Sequence, residues 1–414
     1  MKIILFHQYF LGKNDPGGSR WNKFVEYFSQ KDESIEIDII AGNIHYATGM
    51  QMGASAWQNE ENLSKNITLY RTWTYAGYNK NFFGRLMGYF SYTFSSLVKA
   101  LFLKKADIII VTSPPLFIGV SALLLSKIKR IPFIFEVRDL WPESAIATGV
   151  LKSKYLISIL YHLEKMLYKH AKKIIVLTPA FEKDIVARFP EYKHKISIIT
   201  NGADFDMLID SSRATMIRNK YAWKNKKVFA YFGAHGLAND LMQIIEIANV
   251  YRNNDNILFV LVGDGMQKSS LKEKAKDYNL SNIQFIDSVS KQEVNDYIVA
   301  CDVCMAILKK TDTFKTVYPN KVFDYMRCKK PVLVTIDGIT RVLMEESQCG
   351  LYAKPEDMND LKQTIQIFEN LSSRALKTMG ENGFVYVKKY FDREKLSAEY
   401  FSIIKKEMNA KKTV

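Results

Sequence analysis

The stretch YPNKVFDYMRCKKPVL, from Tyr318 to Leu333, joins a polar loop, a helical pattern and an apolar strand in immediate succession. Pro319 lies where a helix start tolerates proline, and residues 330 to 336 form an apolar, β-branched run that is typical of a buried strand. A helix that leads directly into a buried strand is the repeating unit of parallel α/β sheets. The stretch therefore predicts an α/β fold for the part of the chain around it.

The same alternation of apolar runs and helical patterns extends over the whole chain. Predicted strands lie at 2–6, 35–40, 106–113, 131–137, 172–178, 195–200, 226–233, 256–263, 282–287, 303–308 and 330–336. The length of 414 residues exceeds what one ordinary core accommodates. We therefore predict two doubly wound, Rossmann-like parallel-sheet domains.

The domain boundary is predicted shortly after the turn residues Asn201 and Gly202, where a polar helical connector follows the sixth strand. This gives a first domain of residues 1–208 and a second of 209–389, and a last helix, about 390–414, is expected to pack back on the first domain. Ligands of open α/β sheets bind beyond the carboxyl ends of the strands. The site is therefore expected in a cleft where those edges of the two sheets face each other.

The formal charge is +15, and the basic excess is concentrated in residues 1–200, which hold 26 Lys and Arg against 16 Asp and Glu. Such a positive field suits nucleic acid, a phosphorylated substrate or an anionic membrane surface.

Segment 81–105 is aromatic and flanked by cations, but Arg85 and Lys99 interrupt the apolar run of about 20 residues that a spanning helix needs. It is interpreted either as a helix packed within the domain or as one that also rests on the lipid interface. No aromatic RNA-binding signature is present, so no nucleic-acid partner is predicted.

The four cysteines lie in the last third of the chain, and residues 1–10 have the pattern of a strand rather than of a signal peptide. These features predict a protein of the reducing cytoplasm. Cys301 and Cys304 have the spacing of a metal or redox pair, but no second pair accompanies them. They are interpreted as buried structural thiols, and no metal is predicted.

Two segments of the first half are candidates for chemistry. Gly17 and Gly18 precede a helix that starts near Ser19, and free amides at a helix start favour an anion. Charged and aromatic residues, including Arg138, Asp139 and Trp141, crowd the end of the fourth predicted strand in FEVRDLWPES. Because unpaired buried charges are costly, a binding role is favoured over a structural ion pair, with Arg138 for a phosphate and Asp139 for a sugar hydroxyl or the acceptor nucleophile.

Two glycine turns of the second half, in YFGAHGLAND and LVGDG, follow predicted strands and let the backbone approach a ligand. They contribute Gly233, His235, Gly236, Gly263, Asp264 and Gly265. His235 is in a position to donate to a phosphate, and the second turn suits a nucleobase or ribose.

The opening stretch itself combines the features of a nucleoside diphosphate site. Amides at the helix start and the side chain of Asn320 can bind a diphosphate, and Lys321 adds a positive charge. Asp324, one turn further along, can accept hydrogen bonds from both hydroxyls of a ribose. These residues together predict binding of a nucleotide.

The motifs quoted above, together with TSPPL and TNGAD, resemble the retaining glycosyltransferases of family four, which have the two-domain GT-B fold. The segments EVRDLWPES and PNKVFDYM are similar to a branch that builds O-antigen and capsule, including the WbuB-like N-acetyl-L-fucosamine transferase type. The resemblance implies a nucleotide-sugar donor, UDP-linked, and an acceptor sugar on undecaprenyl diphosphate, with no cofactor or metal. It also implies a location on the inner face of the cell membrane.

Residue by residue, the resemblance places Gly17 and Gly18 near the donor phosphate and the acceptor, and Arg138 and Asp139 near the transferred sugar. Ser19, Arg20 and Trp141 are assigned to the acceptor side. The two acids of the family's E-x7-E element fall on Thr316 and Asp324, so the first acid is absent. The usual Arg and Lys after the first strand of the second domain are replaced by Ala234 and Asn239. Neutralisation of the diphosphate is then expected from Lys321, His235 and helix-start amides.

Two other functions compete with this one. A nucleotide-sugar 2-epimerase of similar fold would need an acid/base set that the sequence does not display. A non-enzymatic, basic membrane-binding protein would account for the charge but not for the nucleotide-like segment at 316–324.

Overall fold

The computed structural model describes residues 1–12, 20–45, 49–52, 58–79, 82–147, 151–206, 210–290 and 292–409, which form two compact units. The first unit contains the described residues up to Thr200 and those from Glu394 onward, and the second extends from Asn201 to Arg393. The division thus lies before the predicted position of 208. The reason is that residues 202–204 bind the end of the second unit: the Ala203 amide donates to the Phe391 carbonyl, and Arg393 pairs with Asp204.

The first unit is an eight-stranded sheet with helices packed against it. Its strands are β1 (Lys2–Phe6), β2 (Glu36–Gly42), β3 (Gln58–Ser64), β4 (Ile67–Thr72), β5 (Ile108–Ser113), β6 (Phe133–Val137), β7 (Lys173–Val176) and β8 (Ile196–Ile198). Its helices are α1 (Arg20–Lys31), α2 (Phe82–Phe102), α3 (Ile118–Lys129), α4 (Glu143–Ala147), α5 (Lys154–His170) and α6 (Pro179–Arg188), with 3₁₀ turns at Ala76–Asn79 and Pro190–Lys195.

The strand order in this sheet is β3-β4-β2-β1-β5-β6-β7-β8, and all neighbours are parallel except the β3–β4 pair. The chain proceeds from β1 to one side and then returns to β5 on the other side. The carboxyl ends of β1 and β5 therefore form the switch point at which open α/β sheets bind ligands.

The second unit is a six-stranded parallel sheet. Its strands are β9 (Lys227–Phe232), β10 (Ile257–Val262), β11 (Ile283–Ile286), β12 (Val303–Ile307), β13 (Val332–Thr335) and β14 (Gly350–Tyr352). Its helices are α7 (Ser211–Lys220), α8 (Met242–Val250), α9 (Lys268–Asp277), α10 (Val294–Ala300), α11 (Asn320–Arg327), α12 (Ile339–Ser347), α13 (Met358–Asn370) and α14 (Ser373–Tyr390), with 3₁₀ turns at Leu237–Asn239 and Asp312–Thr316. The order β11-β10-β9-β12-β13-β14 places its switch point between β9 and β12.

The last helix, α15 (Arg393–Asn409), packs in the first unit against α1. The ring of Tyr400 lies 5.3 Å from that of Trp21, and the ring of Phe401 stacks on Phe28 at 5.3 Å. Both contacts belong to an aromatic core that also contains the buried faces of β1 and β2.

The two-sheet α/β fold is confirmed, since each of the eleven predicted strands corresponds to a strand of the structure. Three strands were not predicted: β3, β4 and the three-residue edge strand β14. Among the described residues, none of the helices combines the length and hydropathy that crossing a membrane requires.

Candidate active site

Each sheet carries polar side chains at the carboxyl edge of its switch point. In the first unit these are His7 after β1, Thr112 near the end of β5 and Arg138 after β6. His7 Nδ1 lies 2.7 Å from the Thr112 hydroxyl, and Arg138 Nη1 lies 3.4 Å from His7 Nε2. The adjacent parallel strands β1, β5 and β6 thus bring these three residues together, although His7 is more than 100 positions away from the other two.

The His7 ring is buried, and burial lowers its pKa well below the ordinary value, with the nearby charges of Arg138 and Arg20 acting in the same direction. A neutral ring fits its surroundings. The Thr112 hydroxyl lies 3.4 Å from the Phe6 carbonyl, so Nδ1–H can donate to Thr112 while Nε2 accepts from Arg138. The sequence analysis did not single out His7. The feature that could have identified His7 is its position directly after the first buried strand, where ligands of parallel sheets bind.

Asp139 follows Arg138 at the same edge. Burial raises the pKa of its carboxyl to about 6, against the stabilising hydrogen bonds from the Ser144 side chain and the Leu140 amide. A carboxylate with this pKa is mostly ionised at neutral pH and can still accept a proton. Trp141, half-buried, packs edge-to-face on Tyr89 and Phe117 at about 6 Å.

The prediction that Arg20 binds an acceptor is wrong, because its guanidinium lies in the interior and already has partners. Arg20 is 3% exposed, pairs with Glu136 at 3.3 Å and donates to the carbonyls of Ile199 and Thr200. Glu136 also accepts a hydrogen bond of 2.9 Å from the Trp21 indole. This buried network joins α1 to β6 and is structural. Gly17, Gly18 and Ser19 lie outside the described residues.

In the second unit, Lys321 reaches across the switch point from α11 to the turn after β9. Its Nζ donates to the Tyr231 hydroxyl at 2.6 Å and lies 3.8 Å from the centre of the Tyr231 ring. A side chain on Gly233 would bring its Cβ within 3.2 Å of the same ammonium group. The ammonium therefore lies beside exposed backbone at Gly233, and burial lowers its pKa to about 7.

The other residues of the opening stretch lie at the start of α11. Pro319 is the residue before the helix, Asn320 is exposed in the first position, and Asp324 is half-buried one turn further. A helix leaves its first amides without intrahelical partners, so this terminus is available to an anion. Unlike those amides, the Thr316 hydroxyl already has a hydrogen-bond partner, because it donates to the Thr313 carbonyl at 2.7 Å.

The two glycine turns are held against each other by the backbone. The Gly233 amide donates to Val262, the His235 amide donates to Asp264, and Gly263 and Gly265 adopt φ angles of +145° and +153°. A Cβ at Gly263 would lie 2.0 Å from the Gly233 carbonyl oxygen. Asp264 and Gly265 are exposed, Gly236 is half-buried, and the Asp264 carboxylate accepts from the Gly265 amide.

The prediction that the His235 side chain binds a phosphate is wrong for this arrangement of the turn. Its ring is fully buried, and neither ring nitrogen has a hydrogen-bond partner among the described residues. Burial, assisted by the nearby Lys268, lowers its pKa to about 4, so the ring is neutral at pH 7.

Lys268, which the sequence analysis missed, supports the second turn. Its buried ammonium donates to the Gly263 carbonyl at 2.8 Å and pairs with Asp287 at 2.5 Å. Lys268 is the first residue of α9, where the helix dipole disfavours a cation. Its position at a helix start, which disfavours a cation, is the sequence feature that could have identified Lys268.

Two family models match the chain side by side. "Glycosyltransferase Family 4" matches residues 59–207, and "Glycosyl transferases group 1" matches residues 214–385. WbjE of Pseudomonas aeruginosa, which carries a glycosyltransferase name, is 22% identical over 63% of this chain and 66% of its own length. WcaI of Escherichia coli K12, named as a colanic acid biosynthesis glycosyl transferase, is 22% identical over 83% of this chain and 85% of its own.

Solved structures agree on the fold. Sucrose-phosphate synthase of Thermosynechococcus elongatus has a TM-score of 0.75 at 16% identity and covers 99% of both chains. Anabaena HepE in complex with UDP has a TM-score of 0.70 at 14% identity and covers 98% of this chain and 100% of its own. The family models and the relatives thus show that the chain is similar to glycosyltransferases, and the solved structures show that it has the GT-B fold.

Proposed function

We propose that the protein is a retaining glycosyltransferase that uses a UDP-linked sugar as donor. The observation that carries the proposal is the position of Lys321, whose ammonium lies between the start of α11 and the glycine turn after β9. A cation, helix-start amides and accessible turn backbone are what a diphosphate requires. HepE, of the same fold, was solved with UDP, which supports this choice of nucleotide.

In the proposed complex, Lys321 and the first amides of α11 bind the diphosphate, and Asp324 accepts hydrogen bonds from the ribose hydroxyls. Asp264 and Gly265, which are exposed, form the surface for the nucleoside, and the buried Gly263 lies behind them in the same turn. Arg138 and Asp139 are assigned to the transferred sugar and the acceptor, with Trp141 beside them.

Retention of configuration is proposed to proceed by attack from the face of the leaving group. The bond from the anomeric carbon to the β-phosphate oxygen breaks, and the acceptor oxygen bonds to the same face. The acceptor proton passes to the departing diphosphate, whose charge Lys321 and the helix amides stabilise. This scheme needs no pair of catalytic carboxylates of the kind used by glycosidases, and no metal is proposed.

For the acceptor, we propose a sugar carried on undecaprenyl diphosphate, in the synthesis of O-antigen or capsule. The name of the relative WcaI, which refers to colanic acid, a polysaccharide, supports a role of this type. The donor N-acetyl-L-fucosamine, or a related amino sugar, rests on the resemblance of EVRDLWPES and PNKVFDYM. The aromatic and basic surface of the first unit is assigned to the inner face of the membrane, where such an acceptor is found.

A nucleotide titration followed by thermal unfolding tests the donor site. At a UDP concentration of about 100 times Kd, binding should stabilise the fold by about 2.7 kcal/mol. Lys321→Ala should weaken UDP binding about 10- to 100-fold, the value of a charged hydrogen bond, while unfolding remains cooperative. Lys276→Ala, on the exposed side of α9 in the same unit, is the matched control and should leave UDP binding unchanged.

Two results would reject the proposal. If neither UDP nor GDP raises the melting temperature, the UDP-linked donor is wrong and a membrane-binding function is favoured. If Lys321→Ala binds UDP as the wild type does, the site lies elsewhere.

A further inference from the structure

A cavity lies at the end of the first sheet opposite to His7 and Arg138. It has a volume of about 500 Å³ and is lined by residues that directly precede three strands: Pro132 before β6, Lys172 and Lys173 at the start of β7, and Lys195 before β8. Because β6, β7 and β8 are parallel, these residues share the amino edge of the sheet. The predicted chemistry belongs to the carboxyl edge, so this cavity is not part of that site.

The lining is strongly basic. Three lysines, Lys172, Lys173 and Lys195, are joined by His170 and His194, and Glu407 is the one acid among the lining residues. A concave site with charges of one sign concentrates ions of the opposite sign.

The lysines differ in what they already bind. Lys195 donates to the carbonyls of Tyr168, Lys169 and Ala171 at 3.3, 2.7 and 2.9 Å, and so caps the end of α5. Within the described part of the chain, the ammonium groups of Lys172 and Lys173 have neither a hydrogen bond nor an ion pair. Two cations are thus available at the cavity, next to a third that holds the helix end in place.

These positive charges act against one another. Burial lowers the pKa of Lys195, and the neighbouring Lys172 lowers it further. Burial also lowers the pKa of Lys173, with Lys406 acting in the same direction and Glu407 against it. Positive charges that outnumber the one acid of the lining, Glu407, destabilise the fold, and a bound anion would relieve that repulsion.

We propose that this cavity binds a phosphate-bearing ligand through Lys172, Lys173 and His194. Several ammonium groups around a water-accessible cavity fit an anion of more than one charge better than a single carboxylate. The ligand can be a soluble phosphate or the phosphate of a lipid headgroup. A lipid phosphate is supported by exposed apolar residues at the same edge of the unit, where α2 and α3 end. Phe102 and Ile128 are exposed there. Beside them, Lys129 donates to the carbonyls of Ala100 and Leu103. The proposal does not depend on transferase activity.

Pyrophosphate binding, measured by calorimetry in a Lys321→Ala background, tests the site without interference from the proposed donor site. Lys172→Glu and His194→Glu, each on an exposed side chain, should weaken binding about tenfold. Lys183→Glu, which changes the charge as Lys172→Glu does but at an exposed position of α6, should bind as the parent does. Lys172→Glu should also unfold at a temperature no lower than the parent, because it removes repulsion on Lys195.

Sedimentation with phosphatidylglycerol-containing vesicles distinguishes the two sources. A loss of vesicle binding in Lys172→Glu and His194→Glu, but not in Lys183→Glu, identifies a lipid phosphate. Pyrophosphate binding that depends on the same two residues, with vesicle binding unchanged, identifies a soluble ligand. If neither pyrophosphate nor vesicle binding distinguishes Lys172→Glu and His194→Glu from Lys183→Glu, the proposal is wrong.

Discussion

The amine of Lys321 gives the donor site a measurable dependence on pH. Burial lowers its pKa to about 7, so in the free protein at pH 8 most of the amine is neutral. A bound diphosphate favours the ammonium form and raises this pKa, so binding of UDP above pH 7 should take up a proton. The affinity for UDP should therefore fall as the pH rises from 7 to 9, by up to about tenfold per pH unit.

Calorimetric titration of UDP at pH 8 in two buffers of different ionisation enthalpy measures this proton uptake. Lys321→Arg is the appropriate control, because guanidinium stays charged and should bind UDP without uptake. A wild-type protein that binds UDP with the same heat in both buffers would contradict the role given to Lys321.

At the residue scale, the sequence predicted what depends on neighbouring positions and missed what depends on distant ones. The place of Lys321 in the first turn of a helix could be predicted, because the residues that begin that helix are adjacent to it in the chain. Its contact with Tyr231 could not, because 90 positions separate the two residues and only the β9–β12 switch point brings them together. The prediction for His235 failed because burial of a loop side chain depends on the second turn, 263–265, that packs on its backbone.

At the scale of elements, the close approach of the two glycine turns gives a test of folding. Gly263→Ala should destabilise the protein by at least about 2 kcal/mol, since its φ of +145° disfavours a side chain and the new Cβ would lie 2.0 Å from the Gly233 carbonyl oxygen. Gly236→Ala is a matched control in the first turn. The nearest atom to its Cβ, Asn239 Nδ2, is 3.8 Å away, and its φ is −107°, so its stability should change little. Urea denaturation of the two variants compares them directly, and equal midpoints would show that the turns are not held as described.

Strands were predictable where both faces are buried. Such strands, for example β5, read as continuous apolar runs whose signal needs no knowledge of their neighbours. The antiparallel β3–β4 pair lies at the edge of the sheet, and the β3 sequence QNEENLS has Leu63 as its one apolar residue, so it carries no such pattern. Edge strand β14 has three residues, which is too short for alternation to appear.

At the scale of the whole molecule, charge and exposed aromatic surface occur together in the first unit. Along α2, large apolar side chains are exposed at helical spacing: Phe83, Met87, Phe90, Phe94, Val98, Leu101 and Phe102. Leu124 and Ile128 on α3, which packs against α2, are exposed as well, and so are Tyr155, Leu156 and Ile159 on α5, which packs against α3. Scattered single apolar residues are normal on a protein surface, but these three helices expose many more than that. Exposed apolar surface of this extent marks an interaction site. The sequence had suggested only the segment 81–105, because residues contributed by other helices become neighbours only in the fold.

The proposed membrane association can be measured by binding to vesicles that contain anionic lipid. Replacing Phe94 and Phe102, which are 67% and 86% exposed, with serine should reduce the affinity for vesicles by at least about tenfold, because each ring contributes apolar area that leaves water on insertion. Tyr390→Ser, at an aromatic residue that is 51% exposed in the second unit, should have no effect. Raising the salt concentration should weaken binding of the wild type, since basic residues near an anionic surface contribute about 1 kcal/mol each. Binding that survives loss of both rings but disappears in salt would instead assign the interaction to the basic charge alone, and the aromatic surface would then have to serve a protein partner.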